Sequence, residues 1–93
     1  MKYFAAFLPM LDSEKSQTLR PDHLEYLAAR RREGQIFAQG RFVDGSGGLV
    51  IYMAESFEEA RRLAAADPYV IHGARRLEFH EWAMTLAERA GQA

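Results

Sequence analysis

The chain reads as an α+β protein, a four-stranded antiparallel sheet with two helices on one face. Three observations predict this. Short apolar segments at residues 2–9, 36–42, 49–53 and 75–82 have the length and alternation of strands. Helix-like spacing separates the first strand from the second and the third from the fourth, whereas only Asp44-Gly45-Ser46-Gly47-Gly48 separates the second from the third. The 93 residues contain neither a linker nor an internal repeat, so they make one domain with a core over about 2–82 and a tail over 83–93. The resulting order, β-α-β-β-α-β, is satisfied by the ferredoxin-like arrangement. In it strands 1 and 2 run parallel on either side of strand 3, and strand 4 pairs with the free edge of strand 1.

The elements follow in order. In the first strand Tyr3, Ala5 and Phe7 point one way and Phe4, Ala6 and Leu8 the other. Residues 10–19 are polar in the middle and read as a loop. A helix then begins near Arg20, because Pro21 suits a first helical turn, where its missing N–H costs nothing. Leu24, Leu27 and Ala28 form its apolar stripe and Gly34 its stop. Gly40, near the end of the second strand, reads as a point of close approach or a bulge. The second helix opens on Ser56 and Glu59, a capping box in which each satisfies a backbone donor of the other. Asp67-Pro68 interrupts it, and Tyr69 to His72 adds one turn closed by Gly73. The tail from Ala83 to Ala93 has helix formers with weak amphipathicity, giving a short helix or a frayed end.

Bulk properties narrow the function. The formal net charge is −1, with no basic stripe for nucleic acid and no run of apolar residues approaching a membrane span. The chain has no cysteine, which excludes disulfides, thiolate metal sites and cysteine nucleophiles, and fits a cytoplasmic home. Strands 1 and 3 are apolar on both faces while helices cover only one. The uncovered face therefore predicts a homodimer, or a higher homo-oligomer, packed sheet against sheet.

Chain direction predicts where chemistry gathers. Strand 1 runs up, so Arg20, Asp22 and His23 start the first helix at the top. Strand 2 also runs up and brings Arg41 and Phe42 there. The second helix returns upward and delivers Asp67, Pro68 and Tyr69. A His23 in the first helical turn would feel the positive helix end, which disfavours imidazolium, while a nearby Asp67 would oppose that effect. An imidazole oriented by a carboxylate is a general base suited to neutral pH. The plainer reading is that His23 packs on the sheet edge and Asp67 caps the turn begun by Pro68. Tyr69 either donates a hydrogen bond into a pocket or fills core space. Arg20 and Arg41 are the cations available to an anionic or carbonyl-bearing ligand, unless they are solvated surface groups. Glu78 and His80 share a strand face, with Glu81 beside them, too few for a metal site. His72 reads as a surface residue at a helix end.

Several blocks resemble one known family. Arg20-Pro21-Asp22-His23-Leu24-Glu25-Tyr26-Leu27, Gly34 to Phe42, Gly47-Gly48-Leu49-Val50-Ile51, Glu58-Glu59-Ala60 and Ala66-Asp67-Pro68-Tyr69-Val70 are similar to the YciI-like proteins of the dimeric α+β barrel group. The resemblance spans residues 2 to about 82. It implies a ferredoxin-like protomer, a sheet-packed dimer and a cleft whose catalytic pair is His23 and Asp67. Arg41 departs from the pattern, since relatives often carry proline after the glycine. One related protein removes chloride from a chlorinated hydroxyquinol.

Two functions follow as expectations. The first is a cofactor-independent lyase or isomerase acting on a small cyclic or phenolic compound, with His23 moving a proton, Asp67 orienting it, and Arg20, Arg41, Phe42 and Tyr69 binding the substrate. The second is a non-catalytic ligand-binding or assembly module of the same fold. No cofactor motif occurs in the sequence. Metal or haem handling is a weaker third possibility.

Overall fold

The computed structural model describes residues 1–87. Its elements are β1 (Lys2–Pro9), α1 (Ser13–Arg32), β2 (Ile36–Arg41), β3 (Gly47–Ala54), α2 (Phe57–Ala65), α3 (Pro68–Ile71) and β4 (Glu78–Trp82). The strands lie in the order β2-β3-β1-β4 and every pairing is antiparallel. This is the expected ferredoxin-like sheet, with the helices on one face.

Strand alternation sets the core. Phe4, Ala6 and Leu8 of β1 pair with Tyr52, Val50 and Gly48 of β3 on the helix-covered face, and all the apolar members are buried. Leu27 of α1 and Ala60 and Ala64 of α2 pack onto them. Small alanines on α2 let it lie close to the sheet, and Phe4, Phe57 and Phe79 close the remaining space edge-on and stacked. The opposite face carries the pairs Tyr3–Met53, Ala5–Ile51 and Phe7–Leu49, extended by His80 and Trp82 of β4. No helix covers it.

Residues 13–19 form the first two turns of α1, where a loop was expected. Asp12 is the N-cap and accepts from the Lys15 N–H at 3.0 Å. Pro21 therefore lies inside the helix and leaves the Gln17 carbonyl without its helical donor. The buried residues of α1 are Ser16, His23 and Leu27, at i, i+7 and i+11, which is one helical face. Leu24, assigned to an apolar stripe, is exposed. A stripe whose inward members are Ser and His gives little hydrophobic signal, and that is why the helix start was missed.

Three smaller differences follow. The β2 irregularity lies between Ile36 and Ala38, and a Cβ on Gly40 would meet open space, so Gly40 is not the bulge. Regular β4 begins at Glu78; before it, Arg75 makes an isolated bridge to Met10. Ser56 caps α2 through the Glu59 N–H at 3.1 Å, but the Glu59 carboxylate reaches back to the N–H of Glu55. Residues 83–87 form no helix, and the rest of the tail lies outside the described residues. Among the described residues no helix is long and apolar enough to cross a membrane.

Candidate active site

Asp67 occupies the corner between α2 and α3. As N-cap of α3 it accepts from the Tyr69 N–H at 2.9 Å, and Pro68 fills the first helical position, where no donor is needed. The same oxygen, Oδ1, lies 2.8 Å from Nδ1 of His23, which projects from α1. The cap reading and the pairing reading of Asp67 therefore hold together on one atom. Asp67 is fully buried, and its other oxygen, Oδ2, is buried without a hydrogen-bond partner.

A carboxylate only accepts, so this geometry puts the imidazole proton on Nδ1 and leaves the lone pair on Nε2. His23 sits ten residues beyond Ser13, roughly three turns into α1. That corrects the expectation that a helix end acts on it, because the dipole effect fades within the first turn. What fixes the ring is contact. Tyr69 stacks on it at 3.9 Å between ring centroids and 15° between planes.

The imidazole faces a cavity of about 200 Å³ lined by both helical and sheet residues, among them Arg20, His23, Arg41, Tyr69 and Arg75. Arg20 and Arg41 are exposed and stand at its rim. Phe42 does not line it; Phe42 borders a shallow groove that runs from Arg41 toward Leu49 and Ile51 on the uncovered sheet face. Asp22 is exposed on α1. Among the described residues no three His, Asp or Glu side chains gather as a metal site. Glu78 instead pairs with Arg76, and His72 is an exposed helix end whose carbonyl accepts from Lys15.

Arg75 is the lining residue that sequence reasoning overlooked. Its Nε donates to the Ser16 hydroxyl at 3.1 Å, and its guanidinium lies over the Tyr69 ring at 4.4 Å from the centroid. A signal was available. Arg75 shares the strand parity of Leu77 and Phe79, so an arginine was due to point inward with them.

Behind the pair lies a phenolic layer. Burial pushes the Tyr52 hydroxyl far above the usual phenol range, and the negative charge of Asp67 adds to that shift. Burial also raises Tyr26, with Arg30 opposing and Asp67 reinforcing, and the Tyr26 hydroxyl donates to the Leu63 carbonyl at 2.6 Å. These groups stay neutral at pH 7 beside the fully buried Asp67.

The YCII-related domain model matches residues 1–83 of the chain. The chain belongs to the YCII-related family. Within its reach is the uncharacterized protein YjpA of Bacillus subtilis (strain 168), 32% identical over 80 residues, which are 86% of this chain and 94% of that protein. Among solved structures, the 5-chloro-2-hydroxyhydroquinone dehydrochlorinase TftG from Burkholderia phenoliruptrix AC1100, in complex with 2,5-dihydroxybenzoquinone, superposes with a TM-score of 0.76. The match covers 89% of this chain and 95% of that one at 19% sequence identity, a level at which it is the fold that is shared. This family member thus has the same architecture as a protein solved with a small ring ligand.

Proposed function

We propose that the chain is a cofactor-independent enzyme of lyase or isomerase type that moves a proton on a small cyclic or phenolic compound. The observation that carries this reading is the buried 2.8 Å contact between His23 Nδ1 and Asp67 Oδ1 at the wall of a cavity. Nε2 of His23 takes a proton from a substrate C–H or O–H. The electron pair left behind moves onto a ring oxygen as an enolate or phenolate. Asp67 stabilises the imidazolium while that charge exists. Collapse of the oxyanion then expels a leaving group with its electron pair, or the proton returns at another carbon. Arg20 and Arg41 at the rim attract the oxygen-bearing ligand and Tyr69 holds the imidazole; Phe42, outside the cavity, is at most part of its approach. The structural likeness to a dehydrochlorinase supports this class of chemistry and names no substrate for this chain.

The uncovered sheet face supports a homodimer. Phe7, Phe37 and Trp82 are 37%, 40% and 45% exposed; Phe7 and Trp82 line an apolar groove on it with Ala5 and Ile51, and Phe37 packs edge-on against Tyr3 of the same face. Packing two such faces together would bury an apolar patch of the kind monomers rarely leave in water.

The enzyme reading is tested by screening phenols, quinones, lactones and small acids for stabilisation and turnover, in parallel on His23→Ala. A compound converted by the native chain and left unchanged by a folded His23→Ala supports it. Binding without conversion, equal in both proteins, favours the alternative of a non-catalytic binding module.

A further inference from the structure

We propose that the cavity selects a ligand that enters already as an oxyanion, a single-ring carboxylate, phenolate or enolate, and that Arg75 is the group that holds the charged oxygen. This rests on the reading of the cavity as a ligand site, but not on any reaction there.

Arg75 is 9% exposed, a rare state for an arginine without a carboxylate partner. The ion pairs among the described residues are His23–Asp67 and Arg76–Glu78, and neither involves it. Its hydrogen bonds go to neutral groups, Nε to Ser16 Oγ at 3.1 Å and Nη1 to the Leu8 carbonyl at 3.4 Å. Nη2 makes none among the described residues, and Arg75 lines the cavity. The side chain is therefore fixed at its stem, with guanidinium donors left toward the cavity. Ser16 is buried for this purpose. Its hydroxyl accepts from Arg75 while the Met10 sulfur and the Ala74 carbonyl lie 3.1 and 3.4 Å away as its own acceptors. The Tyr69 face gives the cation its remaining contact.

The surroundings agree in sign and size. The cavity lining holds Arg20, Arg41 and Arg75 and no carboxylate, since Asp67 lies behind His23. The sheet leaves room beside the guanidinium at Gly48, where a Cβ would stand 3.7 Å from Nη1 and 3.0 Å from the Gly40 carbonyl. A volume of about 200 Å³ is a little more than the roughly 150 Å³ that encloses a benzene ring. A planar guanidinium fork matches the two oxygens of a carboxylate or the delocalised oxygens of a hydroxyquinone. Arg20 and Arg41, exposed and screened, steer the anion; Arg75 binds it.

The test is calorimetric titration of the native chain with two matched pairs: 2,5-dihydroxybenzoquinone, ionised at pH 7, against 2,5-dimethoxybenzoquinone, and benzoate against benzamide. In at least one pair the anion is expected to bind about tenfold or more tightly than its neutral partner. Arg75→Gln should reduce that preference to about twofold or less, and Arg75→Lys should restore part of it. If Arg75→Gln does not fold, Arg75→Lys and the native pairs still decide. Equal binding of the neutral partners, no anion binding up to about 10 mM, or a preference that survives in Arg75→Gln overturns the assignment. Failure of the proton-transfer reading gives a different result, anion selectivity intact with no turnover of any compound.

Discussion

The ring of Tyr69 lies 3.9 Å from that of His23 and nearly parallel to it, at 15°. The imidazole is thereby held in its plane by Asp67 and across its plane by a phenol. The hydroxyl plays no part in that stack. Tyr69→Phe should therefore keep both the fold and the imidazole orientation, whereas Tyr69→Leu should lower kcat on any converted substrate by about tenfold or more. NMR titration of the His23 imidazole in both variants checks the cause, since only the leucine variant should show an altered ring environment.

Asp67→Asn separates capping from proton transfer. Asparagine caps as well as aspartate, so folding stability should change little from loss of the cap. The amide, however, can present its N–H to Nδ1 and favour the tautomer with the proton on Nε2, which cannot act as a base. Turnover should fall by about 10²–10⁴-fold. Asp67→Ala should lose the activity and also about 1–2 kcal/mol of stability in urea titrations.

Alkaline stability follows from Tyr52. Its folded-state pKa is raised above the unfolded value, so its contribution is complete below the unfolded pKa of about 10 and is lost as pH climbs from there toward the folded pKa. Each such phenol steepens the fall by up to about 1.4 kcal/mol per pH unit. Stability should hold level to about pH 10 as far as this group is concerned. Tyr52→Phe should flatten the decline above it, read by urea unfolding across pH 8 to about 11.

Gly47 is a backbone requirement rather than a flexible turn. Its φ is 149°, and a Cβ there would stand 2.3 Å from the Leu8 carbonyl oxygen, on the strand it must pair with. Gly47→Ala should cost more than Gly73→Ala, whose φ of 73° is strained but whose Cβ meets open space. The second is expected to cost about 1–3 kcal/mol and the first to exceed it in urea midpoints.

A charge on the uncovered sheet face tests the dimer. Phe7→Glu leaves the helix-covered core untouched and should shift a dimer to monomer in sedimentation at micromolar concentration, with the unfolding transition weakened. A native chain that sediments as a monomer would remove the proposal.

Much of this was legible from residues alone, and the failures share a cause. Sheet order followed from apolar alternation and the short glycine turn, and the meeting of His23 with Asp67 followed from chain direction. The Ser56 and Asp67 caps were readable because their side chains bond locally. What escaped was polar and buried. Ser16 and Arg75 are buried and hydrogen-bonded to each other, so they carry no hydrophobic period, and a pattern search treats such positions as surface. Pro21 reinforced the error by signalling a helix start where a helix was already under way. Phe42, placed near the site by chain direction, directly follows the end of β2 and lines the groove on the uncovered sheet face instead of the cavity.

One oxygen of Asp67 serves both the imidazole and the bend that returns the chain toward its last strand. The two partners are not symmetrical. Replacing residue 23 leaves the bend intact, while replacing residue 67 with anything that cannot accept disturbs the path of the polypeptide itself. The acidic corner is therefore the more constrained of the two positions, since the backbone depends on it whether or not the imidazole is present.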